Sequence, residues 1–157
     1  DLLLGYAADD GRIRDAFAHA LDAGMTVEFE PGDLGQAHPN TALFRLTAGD
    51  GRTMTVQGSS LGGGDVVVSR IDGFEVEAKG ELPLLVVEHQ DRPGEIAAVT
   101  GILAEGGFNI AEMRVSRERR GARALMLIET DAAVDDHTAA RVAEQPGVLG
   151  VRRVPTV

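Results

Sequence analysis

Residues 84–109 read LLVVEHQDRPGEIAAVTGILAEGGFN, and this stretch predicts a buried strand, a tight turn and an amphipathic helix. Its opening apolar run is too short for a helix and is rich in strand-forming residues. Ile96, Val99 and Leu103 then recur at the spacing of a helix that lies on a sheet. The glycine pair at 106–107 ends this helix, because a glycine after the last turn readily adopts the left-handed conformation. The second half of the chain is therefore built around a strand followed by a helix.

The polar turn inside this stretch, DRPG at 91–94, admits two interpretations. Asp91 can cap the first N–H groups of the helix, and Pro93 brings a preset φ that suits a first helical turn. Alternatively, the unpaired N–H groups at the helix start carry a partial positive charge that favours a carboxylate. Spacing alone favours the cap without excluding the capture of an anion.

Residues 89–117 read HQDRPGEIAAVTGILAEGGFNIAEMRVSR, and they resemble the first half of an ACT domain. ACT domains are small βαββαβ modules that bind amino acids and regulate enzymes of amino-acid metabolism. The most specific feature is the D-x-P-G turn, followed about fifteen residues later by Asn-Ile. The resemblance implies an effector site made of Asp91, Arg92, Gly94, Asn109 and Ile110.

The rest of the second half completes the same order of elements. The apolar positions of residues 108–115 change phase part of the way along, which predicts a β-bulge near Ala111. Residues 124–130 are apolar on both faces and predict a central strand. A short helical stripe and a last strand at 148–154 follow. The order βαββαβ predicts a ferredoxin-like fold for residues 81–157.

A four-stranded sheet with helices on one face leaves its other face or an edge for a partner. Side-by-side pairing of two such sheets is typical of ACT domains, so the resemblance implies a homodimer. We expect Leu125, Leu127 and the strand at 108–115 to lie near the contact.

The composition argues against several classes of function. A net charge of −10 over 157 residues argues against nucleic acid, because phosphate binding needs a basic face. The absence of cysteine removes disulfides, thiolate nucleophiles and the usual ligands of an iron-sulfur cluster. The four histidines lie too far apart for a local metal motif, so no metal site is expected. No long apolar segment or basic leader occurs, and a cytoplasmic location is expected.

The first half predicts one helix followed by several strands, mostly antiparallel. Apolar residues recur at helical spacing over residues 13–21. A Gly-Asp-Gly turn at 49–51 joins two of the strands as a hairpin. The predicted strands cover residues 26–30, 43–47, 53–57, 66–71 and 74–77. The whole chain is therefore expected to be α+β, with a mixed or antiparallel first domain ahead of the ferredoxin-like one.

Two polar segments stand out in the first half. HPNT at 38–41 places an imidazole, a carboxamide and a hydroxyl just before a strand. GSSLGGG at 58–64 joins two strands, and its glycines either align N–H groups into an anion nest or form a flexible connection. The segment lacks the Gly-Lys-Ser/Thr ending of a P-loop, so a nucleotide is not expected.

These two motifs, IDGFEVE at 71–77 and the ACT-like region occur in an order that resembles the beta chains of bacterial iron-sulfur-dependent L-serine dehydratases. The similarity runs from about residue 1 to residue 154. It implies an allosteric serine-binding domain in residues 1–80 and an ACT domain in residues 81–157. Beta chains of this family begin with a longer segment that carries a Ser-Ser-Ser-His-Thr motif. The present sequence starts beyond that segment, so the first domain is expected to be N-terminally incomplete.

The resemblance also implies the function. The chain would be the regulatory beta subunit of a lyase that converts L-serine to pyruvate and ammonia, a reaction of gluconeogenesis. A separate alpha chain would carry the 4Fe-4S cluster and the active site. This chain alone would then have no cofactor, no catalytic residue and no activity. Its expected partners are the alpha chain, a second copy of itself, and L-serine or another small amino acid as effector.

A zwitterionic amino acid needs N–H donors for its carboxylate, an acceptor for its ammonium group and a partner for its hydroxyl. The glycine-rich segment can supply the donors, and the side-chain carbonyl of Asn40 can accept from the ammonium group. His38, Thr41 or Ser59 can contact the hydroxyl. The predicted serine site comprises His38, Asn40, Thr41, Ser59, Ser60, Gly62, Gly63 and Gly64.

Two other functions stay open at this point. The same pair of regulatory modules is found in some phosphoglycerate dehydrogenases, so the chain could be the amino-acid-binding region of such a serine-sensitive enzyme. A self-sufficient hydrolase or lyase could use His38 with Ser59 or Ser60, with Asp91 orienting the histidine. No Gly-x-Ser-x-Gly motif supports the latter.

Overall fold

The computed structural model describes residues 4–6, 9–154 and 156. The chain divides into two compact units, Asp1–Gly35 and Gln36–Val157. The first three residues of the predicted first domain lie outside the described residues. The predicted boundary between residues 80 and 81 does not coincide with this division and stays a prediction.

The first unit contains the one helix that was expected. A 3₁₀ turn, Gly11–Asp15, leads into α1, Ala16–Asp22, and Asp10 caps the turn by accepting from the backbone N–H of Arg12 at 2.9 Å. The strand predicted at 26–30 is wrong, since the residues described there pair with no other strand. Alternation of apolar residues is not enough for a strand when no neighbour supplies the ladder hydrogen bonds.

The second unit begins with a four-stranded antiparallel sheet whose spatial order follows the chain. Its strands are β1 (Thr41–Thr47), β2 (Thr53–Gly62), β3 (Asp65–Ile71) and β4 (Phe74–Ala78). The antiparallel hairpins were predicted, but β2 continues five residues beyond its predicted end. It does so because β1 pairs with it on one side as far as Ser59 and β3 pairs with it on the other as far as Gly62.

A second sheet, of order β6-β7-β5-β8 and antiparallel throughout, follows. Its elements are β5 (Leu84–Gln90), α2 (Glu95–Glu105), β6 (Ile110–Arg117), β7 (Arg123–Thr130), α3 (Asp136–Ala143) and β8 (Val148–Val154). This order confirms the ferredoxin-like prediction. The register between β6 and β7 shifts between Ile110 and Glu112, which confirms the bulge expected near Ala111.

The second sheet is covered on both faces. On one face, α2 and α3 bury a core that includes Leu85, Leu103 and Ile128, each fully inaccessible to solvent. On the other, the first sheet supplies Ile71, Phe74 and Ala78, which pack with Val86, Leu125 and Leu127. The first sheet of the same chain thus covers Leu125 and Leu127, and their expected place near a dimer contact stays a prediction. Among the described residues, no helix is long and apolar enough to cross a membrane.

Candidate functional site

The two polar motifs of the first half meet at one end of the β1–β2 hairpin. Thr41 and Ser59 are direct cross-strand partners, and their hydroxyl oxygens lie 2.7 Å apart. The backbone N–H of Ser60 donates to the carbonyl of Asn40 at 3.0 Å. Strand pairing thus brings together His38, Asn40, Thr41, Ser59 and Ser60, which we call the polar cluster.

The hydrogen bonds inside the polar cluster determine which groups remain for a ligand. The Thr41 hydroxyl donates to the carbonyl of His38 at 2.6 Å, so in its contact with Ser59 it accepts and Ser59 donates. The backbone N–H of Asn40 donates to Nδ1 of His38 at 3.2 Å, which places the proton of the neutral ring on Nε2. The cluster therefore retains one N–H donor on His38, acceptor capacity on Ser59, and the Asn40 amide, for which no hydrogen bond is found within the described chain.

Two hydroxyls of the polar cluster, those of Thr41 and Ser59, lie on the face of the first sheet that points away from the second sheet, whereas Ser60 follows on the other face. Met54 packs towards the second sheet, and the regular β1–β2 register places Ser59, five residues further along β2, on the opposite face. Ser59 is 7% exposed, whereas His38, Asn40 and Ser60 are exposed. The cluster thus has a buried hydroxyl at its base and accessible polar groups around it.

The glycine run is partly strand and partly turn, and the anion nest stays a prediction. Gly58 and Ser59 are ladder residues of β2, and Gly63 and Gly64 form the two-residue turn between β2 and β3. Both turn glycines have positive φ, 68° and 97°, as tight hairpins of this twist require. The interpretation of GSSLGGG as a loop is corrected, because pairing on both sides makes most of it a strand. Gly62, Gly63 and Gly64 lie at the hairpin tip, beyond the polar cluster.

The polar cluster is not a catalytic triad. The imidazole of His38 accepts a backbone hydrogen bond, and it is the backbone carbonyl of His38 that contacts the Thr41 hydroxyl. Asp91 is bonded to the β6–β7 hairpin of the second sheet instead of to His38. Within the described ranges, no group of three or more His, Asp or Glu side chains could hold a metal ion.

The turn between β5 and α2 is held by Asp91 in a way that the sequence did not predict. Its Oδ2 accepts from the backbone N–H of Gly121 at 2.9 Å and from Nη1 of Arg117 at 3.2 Å. The N-cap of α2 is Gly94, with φ 94° and no side-chain cap, so the capping role proposed for Asp91 is wrong. The hydrogen bond from Gly121 and the nearby Arg117 guanidinium hold the pKa of the Asp91 carboxyl below its usual range.

We expect the Asp91 contact to persist throughout the neutral range and to open only in acid. A carboxyl whose pKa is lowered by folding stabilises the native state at pH values above its ordinary pKa, about 3.9. This stabilisation is lost as the pH falls through the lowered pKa. In an NMR titration, the Gly121 amide resonance should move with a midpoint below about 3.9. Asp91→Asn should abolish this titration, and a midpoint above the ordinary value would contradict the assignment.

The predicted effector residues of the second half do not meet within one chain. β5 and β6 run parallel, because both are antiparallel to β7, so their C-terminal ends lie at the same end of the sheet. Asp91, Arg92 and Gly94 follow β5 at that end. Asn109 and Ile110 lie at the opposite end, where the Asn109 amide donates to Asp131 Oδ2 at 2.8 Å.

His89 is a buried polar residue whose role was not evident from the sequence. It is 2% exposed on the helix-facing side of β5, where Leu85 and Val87 also point. Its Nδ1 lies 2.8 Å from the carbonyl of Gln90, and its Nε2 is buried without a partner among the described residues. Period-two alternation along β5 could have placed this ring inside the core.

A cavity of about 280 Å³ lies elsewhere, between the start of β5 and the end of β8. Its lining residues are Pro83, Leu84, Ala133, Val134, Arg153 and Val154. None of the predicted effector residues contributes to it.

Comparison with known proteins gives these features a family context. Residues 84–149 match the family model of the ACT domain. The chain is 34% identical over 152 residues to a protein of Bacillus subtilis (strain 168) described as a probable L-serine dehydratase beta chain, covering 97% of this chain and 69% of the relative. It is 28% identical over 155 residues to the L-serine dehydratase beta chain of Peptoniphilus asaccharolyticus, covering 98% and 67%.

A D-3-phosphoglycerate dehydrogenase of Bacillus subtilis (strain 168) is 28% identical over 135 residues, which are 86% of this chain but 26% of that enzyme. The dehydrogenase thus shares only a minor part of its length with this chain, whereas the beta chains share two thirds or more of theirs. The similarity to beta chains covers almost the whole chain. The ACT match falls on the second sheet, whose ferredoxin-like order is that of an ACT domain. The chain belongs to the family of L-serine dehydratase beta chains.

Proposed function

We propose that this chain is the regulatory beta subunit of an L-serine dehydratase, which converts L-serine to pyruvate and ammonia together with an alpha chain in the cytoplasm. The observation that carries this proposal is the similarity to beta chains over 97% of the chain. The ACT match supports an amino-acid-sensing role, since such domains bind amino acids.

The residues of this chain do not fit an iron-sulfur cluster. The chain contains no cysteine, and cysteine thiolates are the usual ligands of such clusters. We therefore assign the 4Fe-4S cluster and the chemical step to the alpha chain, and no catalytic residue to this one.

We assign the first effector site to the polar cluster. Its free groups complement L-serine: the side-chain carbonyl of Asn40 and the Ser59 oxygen can accept from the ammonium and hydroxyl groups, and His38 Nε2–H can donate to the carboxylate. The alternative, a regulatory region of a serine-sensitive phosphoglycerate dehydrogenase, would use the same groups. We favour the dehydratase because the match to beta chains covers far more of those relatives.

The lyase assignment predicts that pyruvate formation requires the alpha chain and that this chain makes it responsive to serine. This chain, incubated with L-serine after anaerobic treatment with iron and sulfide, should form no pyruvate, because it has no cysteine to bind a cluster and its described residues show no activated nucleophile. Mixed with a reconstituted alpha chain of the same source, it should give a lyase that responds to serine. Pyruvate formation by this chain alone, or an alpha chain that ignores it, would contradict the proposal.

The separation of Asp91 from Asn109 supports a homodimer through the edge strand β6. If two β6 strands pair antiparallel about a two-fold axis, the start of one lies beside the end of the other. Asn109 of the partner subunit would then approach the β5–α2 turn and complete the effector site of the second half. Light scattering should show a dimer or a larger assembly, and a monomer at high protein concentration would remove this site.

A further inference from the structure

The turn between β3 and β4 contains a strained residue that touches both sheets. Asp72 has φ 49°, the one positive φ found at a residue other than glycine in the described part of the chain. With Gly73, whose φ is 86°, it forms a two-residue hairpin flanked by the pair Ile71 and Phe74. Asp followed by Gly suits such a turn, because both central positions need positive φ. The turn accounts for the strain, but not for where the carboxylate points.

The carboxylate of Asp72 is shared between the two sheets. Its Oδ1 accepts from the backbone N–H of Thr55 on β2 at 2.8 Å, while the backbone N–H of Asp72 donates to the Thr55 carbonyl at 2.9 Å. Its Oδ2 accepts from Nη1 of Arg152 on β8 at 2.7 Å. The side chains of Asp72 and Arg152 are 17% and 35% exposed, so this ion pair is only partly screened by solvent.

Among the described residues, two further polar contacts join the sheets, and both involve β4. Arg114 on β6 pairs with Glu77 at 2.7 Å, and the Ser116 hydroxyl donates to the carbonyl of Glu75 at 2.8 Å. The Glu77 and Arg114 side chains are about half exposed, at 50% and 44%. The Asp72–Arg152 pair is therefore the more shielded of the two ion pairs, and only Asp72 is also bonded to β2.

The path from the polar cluster to the second sheet is short. Ser59 and Thr55 lie four residues apart on β2, in a stretch with unbroken register to β1. A shift of β2 along its axis would move both hydrogen bonds between Thr55 and Asp72, the one to the Asp72 carboxylate and the one from the Asp72 backbone N–H. Because Asp72 also binds Arg152, that shift would be transmitted to β8 through direct hydrogen bonds.

We propose that Asp72 is a positioning residue that couples the polar cluster to the second sheet through Arg152. The regulatory part of this inference rests on the proposed serine site, whereas the mechanical link between the sheets does not. Coupling between two binding sites is reciprocal, so a ligand in the second half would act back on the polar cluster through the same contacts.

The test compares variants that separate the ion pair from the turn. Asp72→Asn keeps a residue that tolerates positive φ and can still accept from Thr55, but it removes the charge that holds Arg152. Arg152→Gln removes the other partner, and Arg152→Lys restores a positive charge. Glu75→Gln is the matched control, because it removes an exposed ion pair to Arg70 that lies within the first sheet.

Amide hydrogen exchange without ligand tests the link itself. Exchange in β8 should accelerate by roughly tenfold in Asp72→Asn and in Arg152→Gln, since the loss of a shielded charged contact favours local opening. The Glu75→Gln variant should match the wild type, and Arg152→Lys should recover part of the protection. Unchanged exchange in both Asp72→Asn and Arg152→Gln would overturn the inference.

Addition of L-serine, followed by NMR of backbone amides, tests the coupling. In the wild type we expect shifts at residues 38–41 and 59–60 and also in β8. Asp72→Asn and Arg152→Gln should retain the shifts at the polar cluster and lose those in β8. No shift at the polar cluster of the wild type would refute the proposed serine site and leave the exchange experiment to decide the link. Equal β8 shifts in wild type and variants would refute the coupling role of Asp72.

Discussion

Replacing Leu103 by alanine is expected to lower the free energy of unfolding by about 3 kcal/mol, within a range of roughly 2 to 5. Leu103 lies on α2, is fully buried, and packs in the core between the helices and the second sheet. Alanine is a good helix former, so the loss would come from the missing methyl groups and the cavity they leave. Denaturant unfolding followed by circular dichroism measures it directly.

Ile96→Ala provides the matched control on the same helix. Ile96 is 42% exposed, so its truncation should cost less than about 1 kcal/mol. Similar costs for Ile96→Ala and Leu103→Ala would mean that α2 does not bury the face described above. A change confined to the denaturant dependence of the free energy would instead indicate an altered denatured state.

Replacing Asn40 by alanine is expected to weaken L-serine binding by roughly tenfold to a hundredfold. The loss of one polar partner in a binding site costs about 1 to 3 kcal/mol, which corresponds to that range of affinity. The fold should not change, because the strand contact of Asn40 is made by its backbone carbonyl, which alanine retains. Isothermal titration calorimetry of the chain with L-serine measures the affinity.

Asp91→Ala serves as the comparison, since Asp91 belongs to the turn of the second sheet and not to the polar cluster. We expect it to leave the first-half affinity unchanged while it releases Gly121 and Arg117. The opposite pattern, with unchanged affinity in Asn40→Ala and loss in Asp91→Ala, would move the serine site to the second half. Gly63→Val adds a check on the hairpin tip, and we expect strain there because Gly63 has φ 68°.

Local patterns were sufficient wherever neighbouring residues decide the conformation. The alternation and spacing in residues 84–109 predicted β5 and α2, and the phase change beyond Phe108 predicted the bulge in β6. The hairpin between β1 and β2 followed from the Gly-Asp-Gly turn, and its pairing brings together the motifs at 38–41 and 58–64, which the predicted serine site combines. That proximity depends only on strand register, which a short turn determines.

Contacts between distant segments were outside the reach of the sequence alone. Nothing near Asp91 indicated that its carboxylate would bind Gly121, thirty residues away, instead of the adjacent helix. Nothing near Leu125 and Leu127 indicated that the first sheet would cover them, because an apolar strand face reads the same whether its cover is a partner or the same chain.

The sequence by itself thus determined the α+β class and the order of elements from residue 41 onwards, because periodicity and turn residues act over a few positions, and its motifs carried the resemblance to the family. The tertiary structure alone decided which segments Asp72 and Asp91 bind and what covers each face of the second sheet. The Asp72–Arg152 pair joins residues eighty positions apart, and only the packing of one sheet on the other brings those two charges within 2.7 Å.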